Sequence, residues 1–348
     1  MEPKVKVGVI GAGMYGKVHI AHFQQSGRAE VTWVASRTAE SVQEAQQRFG
    51  VLNSTTDYRE MLSDSQVDAV VISTPPSSHA AILENALAAG KHVLLEKPLA
   101  ADREGMEHIL RAAAQHPHRI VLEASCRHSR LQPKFAFVKN LIDSGKLGEI
   151  YAIHHNQLSP TTFTEYNPRG RWSLEKAEAG GGPLFDWGEY DLSFHLGVLG
   201  DRPELTGLRS FHHERLRAME PGGEFSDVEQ HAAAFMEFSG GLRYYYERGA
   251  GVHNSVESET RIYGHKGGLR FSYLTWDTDY VRYFNAGEDR QKAPREEILR
   301  IDFSQHPADD NLLLVDHFLD CLQGKAEPAM PVTLAAKHLN ILMRILDG

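Results

Sequence analysis

Four short stretches of the chain carry residue types at spacings suited to chemistry. Gly11-Ala12-Gly13-Met14-Tyr15-Gly16 follows directly on the apolar run Val5 to Ile10. A Val/Ile run that ends in G-x-G-x-x-G and opens a helix is a dinucleotide-binding turn. Gly11 permits the tight turn, Gly13 leaves room for a pyrophosphate, and Gly16 lets the next helix pack close to the sheet. The positive end of that helix then faces the phosphates. About twenty residues further on, an NAD site places a carboxylate against the ribose 2′-hydroxyl. This chain has Ser36-Arg37-Thr38 there. A carboxylate repels a 2′-phosphate, whereas a hydroxyl and a guanidinium bind one, so the expected cofactor is NADP(H) in preference to NAD(H). Glu96-Lys97-Pro98 directly follows the predicted strand His92 to Leu95. That puts Lys97 at the carboxyl edge of a parallel sheet, where open α/β folds bind ligands. Asp186 and Tyr190 are spaced i, i+4 and share one side of a predicted helix.

Each feature also has a plainer account. Arg37 reads equally as a solvated residue opening a helix, and Lys97 as a surface lysine. Asp186 suits a helix N-terminus, and Tyr190 suits a core. The 19 histidines raise the question of a metal. His154-His155 and His212-His213 are adjacent pairs that point to opposite faces of a strand, and no H-E-x-x-H or Cys/His cluster occurs, so no metal is expected. The chain has neither a G-x-S-x-G elbow nor a P-loop, which removes support for serine hydrolase and kinase chemistry.

The elements that must position these residues fall into two parts. The first alternates strand and helix patterns. Strands are expected at Val5 to Ile10, Val31 to Ala35, Asp68 to Ser73, His92 to Leu95 and Arg119 to Glu123. Helices are expected at Lys17 to Ser26, Ala39 to Phe49, Ala80 to Ala89 and Glu104 to Gln115. Such alternation specifies a doubly wound parallel sheet, assigned to residues 1–123. Residues 124–348 change character. Phe135 to Ser144 and Leu184 to Leu199 read as helices, and Gly148 to Asn156 as a strand. Alternating segments follow at Glu204 to Phe211, Gln230 to Phe238, Leu242 to Arg248, Glu257 to Tyr263, Leu269 to Tyr273 and Asp279 to Tyr283. Helices at Asn311 to Leu322 and Thr333 to Leu346 close the chain. The second part is expected to be an α+β unit with a large, mostly antiparallel open sheet.

Composition sets outer limits. At 348 residues two domains are expected, and 41% hydrophobic with 24% charged residues is ordinary for a globular chain. A net charge of −9 without a basic block argues against nucleic acid and anionic membranes as partners. Only Cys126 and Cys321 occur, the first strand starts at once, and no apolar run could span a bilayer; a cytoplasmic protein is expected.

Taken in order, Gly11 to Gly16, Thr74-Pro75-Pro-Ser-Ser-His79, Glu96-Lys97-Pro98, Trp172 before Gly180-Gly-Gly182, and Asp186-Trp-Gly188-Glu-Tyr190 resemble the glucose-fructose oxidoreductase / inositol dehydrogenase family of NAD(P)-dependent sugar oxidoreductases. The resemblance covers nearly the whole chain. It implies a Rossmann domain followed by a domain whose open sheet makes a homodimer or homotetramer. It implies a catalytic set of Lys97, Asp186 and Tyr190. The cofactor would be held by Gly11, Gly13, Met14, Tyr15, Gly16, Ser36, Arg37, Thr38, Thr74, Pro75, His79, Glu96, Lys97 and Trp172. Lys97, Arg127, His128, Trp172, Asp186, Tyr190 and His195 would line the substrate site, with Arg169 and Arg171 in the loop before Trp172.

Many members carry His where this chain has Tyr190, and Asp where it has Ser193; the Tyr form resembles the glucose-fructose oxidoreductase, dihydrodiol dehydrogenase and xylose dehydrogenase branches. A free Tyr has pKa ~10, which a nearby ammonium would lower toward the range useful for proton transfer. The expected activity is hydride transfer between nicotinamide and a sugar, polyol or sugar derivative. A redox-neutral glycosidase or lyase using the same cofactor, and a non-enzymatic cofactor sensor, are the alternatives.

Overall fold

In the computed structural model, which describes residues 3–161, 170–214, 226–253, 258–286, 294–304 and 309–348, the N-terminal alternation becomes a six-stranded parallel sheet. Its strands are β1 (Val5–Ile10), β2 (Ala29–Ala35), β3 (Asn53–Thr55), β4 (Ala69–Ile72), β5 (His92–Leu95) and β6 (Val121–Glu123), in the order β3-β2-β1-β4-β5-β6. β1 pairs with β2 on one side and β4 on the other. The winding therefore reverses between β1 and β4, and their carboxyl ends flank the crevice where such sheets bind ligands. All four residues of β4 are buried, as an unbroken apolar run requires when helices cover both faces.

Helix α1 (Met14–Ser26) starts at Met14 rather than at the expected Lys17, directly after the glycine turn. α2 (Ala39–Phe49) follows β2. β3 and α3 (Tyr58–Ser63) were not foreseen: Asn-Ser-Thr has no apolar run, and the short α3 depends on Asp57, whose side chain accepts from Arg59 N–H. α4 (His79–Ala88) and α5 (Arg103–Gln115) complete the layer.

The first compact unit comprises Met1–Arg127 together with Asp309–Lys337. Helix α6 of the chain order, Pro133–Asp143, and α7 (Pro183–Gly197) belong to the second unit, while α8 (Asp310–Leu322) belongs to the first. α8 lies along α1, with Phe318 edge-on to Phe23 and Arg28 Nη2 donating to Asp320 at 2.6 Å. Glu123 N–H donates to Met330 O at 3.0 Å, so the return segment closes over β6.

The second unit comprises His128–Ala308 and His338–Gly348. Helix α9 (Val332–Asp347) divides between the two units. The second sheet has eight strands in the order β14-β13-β12-β11-β7-β10-β9-β8. They are β7 (Ile150–Ser159), β8 (Leu205–Glu214), β9 (Glu229–Phe238), β10 (Arg243–Ala250), β11 (Glu259–Gly264), β12 (Gly267–Phe271), β13 (Tyr280–Asn285) and β14 (Arg295–Arg300). Pairing is antiparallel except between β7 and β10. Glu257, expected to open a strand, lies outside the described residues. β14 was not foreseen because Arg-Glu-Glu-Ile-Leu-Arg is a charged edge strand with little apolar pattern. Along β10, Tyr244, Tyr246 and Arg248 point inward to α7, and Tyr245 outward. The outward face also exposes Tyr151, Phe211 and Tyr263. No helix among the described residues is long and apolar enough to cross a membrane.

Candidate active site

At the carboxyl end of β1, Gly11 sits at φ 100°, and a Cβ there would fall 2.3 Å from Ser73 O. At Gly16 a Cβ would fall 1.8 Å from Gly11 O, so only glycine lets α1 approach the turn. Gly13 differs: a Cβ there would meet nothing within 4 Å, and the residue is exposed. Its openness is what a bound diphosphate needs. Gly13 is also the N-cap of α1 and offers no side chain to the first amides. Met14 and Tyr15 begin that helix.

The other strand ends converge on the same edge. Ser36 and the exposed Arg37 follow β2; Thr38 caps α2 by accepting from Ser41 N–H at 3.3 Å. Thr74 and Pro75 follow β4, with Ser78 Oγ donating to Thr74 Oγ1 at 2.7 Å. Lys97 follows β5, half-buried, and its peptide bond to Pro98 is cis.

Three residues expected to meet cofactor or substrate lie in the interior. His79 is 0% exposed; its Nε2 lies 2.9 Å from Thr74 O and its Nδ1 3.2 Å from Leu99 O, so it braces the Thr74 turn from behind. Glu96 is buried. Arg127 Nη1 donates to Glu96 Oε1 at 2.6 Å, His19 Nε2 lies 2.7 Å from the same oxygen, and Lys97 N–H donates to Oε2 at 3.1 Å. Burial would raise the Glu96 pKa, but the Arg127 and His19 contacts outweigh it and hold the carboxyl well below its usual range. Arg127, expected to meet substrate, is 0% exposed and stacks its guanidinium 4.7 Å from the Tyr15 ring centre. The pair Glu96–Arg127 thus fixes the backbone that carries Lys97, tying it to α1 through His19 and Tyr15.

In the second unit, α7 carries Asp186 and Tyr190. The helix is buried on nearly every side; Pro183, Asp186 and Trp187 are its partly exposed residues. Its start is built around Gly182, where a Cβ would fall 2.0 Å from Glu229 O. Glu229, which the sequence did not single out, takes the helix's first amides: Gly182 N–H donates to Oε2 at 2.7 Å and Leu184 N–H to Oε1 at 2.8 Å. Burial pushes the Glu229 pKa up to about 7, although those amides oppose it.

A raised carboxyl pKa contributes stability that is complete below the unfolded value of 4.5 and is lost as pH rises through about 7. We therefore expect the stability of the parent protein relative to Glu229→Gln to fall by about 3 kcal/mol across that window. Denaturant unfolding at closely spaced pH values checks this; a difference that stays flat across the window contradicts it.

Tyr190 is 1% exposed and packs among aromatic rings. His128 lies 4.8 Å from it and stacks on Trp187 at 5.9 Å and 20°. Trp276, which the sequence did not single out, meets His128 edge-on at 5.2 Å. Trp172 sits on the turn Arg171–Leu174, anchored where Asp227 N–H donates to Leu174 O at 3.1 Å. Arg169 lies outside the described residues.

Next to Tyr190, Asp191 forms the centre of a buried network. Arg248 donates to it twice, from Nε at 2.6 Å and Nη2 at 2.7 Å, and the hydroxyls of Tyr246 and Tyr273 donate at 2.8 and 2.7 Å. Burial alone would raise the Asp191 pKa; Arg248 outweighs it and holds the carboxyl well below its usual range. The Arg248 guanidinium also lies 5.5 Å from the Trp187 ring centre. His195, expected to reach substrate, is 0% exposed. Tyr244 Oη lies 2.6 Å from its Nδ1 and Thr260 Oγ1 2.9 Å from its Nε2. Burial holds it well below its usual pKa, so it is neutral and supports the helix from the sheet side. Ser193 Oγ lies 2.7 Å from Ser129 Oγ and accepts from Arg130 Nε at 3.1 Å. Among the described residues no group of His, Cys, Asp and Glu could hold a metal.

A doubly wound sheet with this glycine turn at its carboxyl edge is a dinucleotide-binding fold. Residues 5–124 match the model of the oxidoreductase family with an NAD-binding Rossmann fold, and residues 135–270 match the GFO/IDH/MocA C-terminal domain. Together these cover well over half of the chain, and the protein belongs to the GFO/IDH/MocA family of oxidoreductases. It is 27% identical to a levoglucosan dehydrogenase of Pseudarthrobacter phenanthrenivorans over 312 residues, 82% of this chain and 78% of that one. It is 29% identical to an inositol 2-dehydrogenase of Salmonella typhimurium over 164 residues, 47% of this chain; the match spans 48% of that relative's length. A solved levoglucosan dehydrogenase in complex with NADH and levoglucosan shares the fold, with TM-score 0.84, 21% identity, and coverage of 99% of this chain and 97% of that one.

Proposed function

We propose that the protein is an NADP-preferring oxidoreductase of a sugar, polyol or sugar derivative. The observation that carries this reading is the carboxyl edge of the parallel sheet, where the open Gly13 turn follows β1, Ser36-Arg37 follows β2 and Lys97 follows β5. The dinucleotide, when bound, supplies the hydride donor or acceptor for a carbinol carbon. Gly11 to Gly16 and the amides of α1 would hold its diphosphate. Arg37 and Ser36 would hold a 2′-phosphate, and Thr74 and Pro75 would line its course. Lys97 binds and polarises a substrate hydroxyl through its ammonium. Tyr190 exchanges the hydroxyl proton at its phenolic oxygen, and Asp186 orients the substrate. Sugar and polyol dehydrogenases among the relatives support the substrate class. The open sheet face bearing Tyr151, Phe211, Tyr245 and Tyr263 supports a homo-oligomer.

A panel of sugars and polyols, scored by reduced-nicotinamide absorbance with each cofactor, tests the reading. Turnover of at least one member is the expected result; none with either cofactor removes it. The cofactor preference is tested separately by titration. NADP(H) should bind more tightly than NAD(H), and Arg37→Ala should cost NADP(H) about tenfold or more while leaving NAD(H) nearly unchanged. Equal losses for both cofactors would show that Arg37 does not read the 2′-phosphate.

A further inference from the structure

The turn Ser272–Thr278 is held far more firmly than an exposed connection requires. Lys134 reaches into it from α6 with 0% exposure. Its ammonium donates to the carbonyls of Ser272 at 2.8 Å, Leu274 at 2.9 Å and Thr278 at 2.7 Å. Three donors meet three carbonyls, so the charge is fully hydrogen-bonded. Burial pulls the Lys134 pKa to about 8, which leaves it protonated near neutrality. The same turn is tied a second time, because Tyr273 Oη donates to Asp191 at 2.7 Å, the residue after Tyr190. At the apex of this doubly anchored turn stands Trp276, 56% exposed.

A buried ammonium and a buried carboxylate both fix a turn that carries an exposed indole. Trp276 in turn meets the ring of His128, which packs on Tyr190. An indole so fixed offers a flat, electron-rich face, complementary to the slightly positive C–H groups on one face of a pyranose ring. An open-chain polyol presents no such face without first freezing its rotatable bonds, which costs conformational entropy.

We propose that Trp276, held by Lys134, is the platform on which the substrate's ring stacks, and that the protein selects cyclic sugars over open-chain polyols. This rests on the reading of the protein as a sugar or polyol oxidoreductase. Trp276 acts on the substrate directly, and Lys134 is a positioning residue that acts through the turn.

The test compares aldopyranoses with their alditols, using KM, or an inhibition constant for any member not turned over. Trp276→Ala should lower the ring-over-chain affinity ratio roughly tenfold, the worth of one aromatic contact, with the change carried by KM more than kcat. Lys134→Met, which keeps the stem and removes the charge, should shift the ratio in the same direction. Combined with Trp276→Ala it should cost no further discrimination. Pyranoses should also perturb the indole emission of the parent protein, and Trp276→Phe should abolish that signal. Equal losses for rings and chains, or additive effects in the double variant, overturn the proposal. If the parent turns over no sugar or polyol with either cofactor, the underlying reading fails, and the emission titration alone decides the platform: a response that is not specific to rings, or that survives Trp276→Phe, removes it.

Discussion

Tyr190→Phe is expected to lower kcat by about 10²- to 10⁴-fold, the usual contribution of a general acid or base, while the fold and dinucleotide affinity survive. The substitution removes one oxygen from a ring that already packs on His128 and Trp187, so those contacts remain. The loss should fall on kcat and kcat/KM together, because the proton is exchanged in the transition state and not on binding. The limb of the pH–rate profile that belongs to this group should disappear as well. Steady-state kinetics across pH, with circular dichroism to check the fold, measures all of this. A variant within about threefold of the parent with an unchanged profile would reduce Tyr190 to a packing residue. His128, which touches the same ring, would then be the next residue to substitute.

Asp191→Ala is expected to cost about 3–5 kcal/mol of stability, the penalty for leaving one member of a buried ion pair uncompensated. The carboxylate accepts two bonds from Arg248 and one each from Tyr246 and Tyr273, all in a region with no solvent to replace them. Asp191→Asn keeps the shape and should cost less, since it retains one acceptor oxygen. A carboxyl held below its unfolded pKa contributes stability that is present above that value and lost as pH falls through the folded value. The parent should therefore weaken in acid in a way that Asp191→Ala does not. Urea unfolding of the three proteins across pH provides the comparison. A loss below about 1 kcal/mol for Asp191→Ala would mean that solvent reaches Arg248 in the native protein.

Much of the architecture is legible in the sequence because burial writes itself into runs. Ala69–Ile72 reads as a strand since every residue must be apolar, and Gly11 and Gly16 are set by contacts that no side chain could tolerate. β3 and β14 were not legible: edge strands are short or charged, and their pattern reflects solvent rather than core. The catalytic candidates were visible as motifs, but their supports were not. Glu229 meets Gly182 from 47 positions away, and Arg248 meets Asp191 from 57. Pairings at such separation leave no local spacing to read. Arg127 and His195 were legible as polar residues near the motifs, but not their burial. A polar residue beside a motif invites a ligand role, yet both have no exposed surface, and their charge or hydrogen-bonding capacity is spent on Glu96 and on Tyr244 and Thr260. Trp276 lies in a short turn whose anchor, Lys134, is 138 positions from Ser272 and 140 from Leu274, so no local spacing marks it.

Net hydride transfer from a substrate carbinol is tested most directly by isotope transfer. A turned-over sugar carrying deuterium at the oxidised carbon is incubated with excess NADP, and the released dinucleotide is examined by mass spectrometry. One deuterium per turnover should appear in dinucleotide free in solution, together with an oxidised sugar product. Unlabelled free dinucleotide, with the deuterium retained in a product of unchanged oxidation state, would contradict net hydride transfer and assign the protein to redox-neutral chemistry.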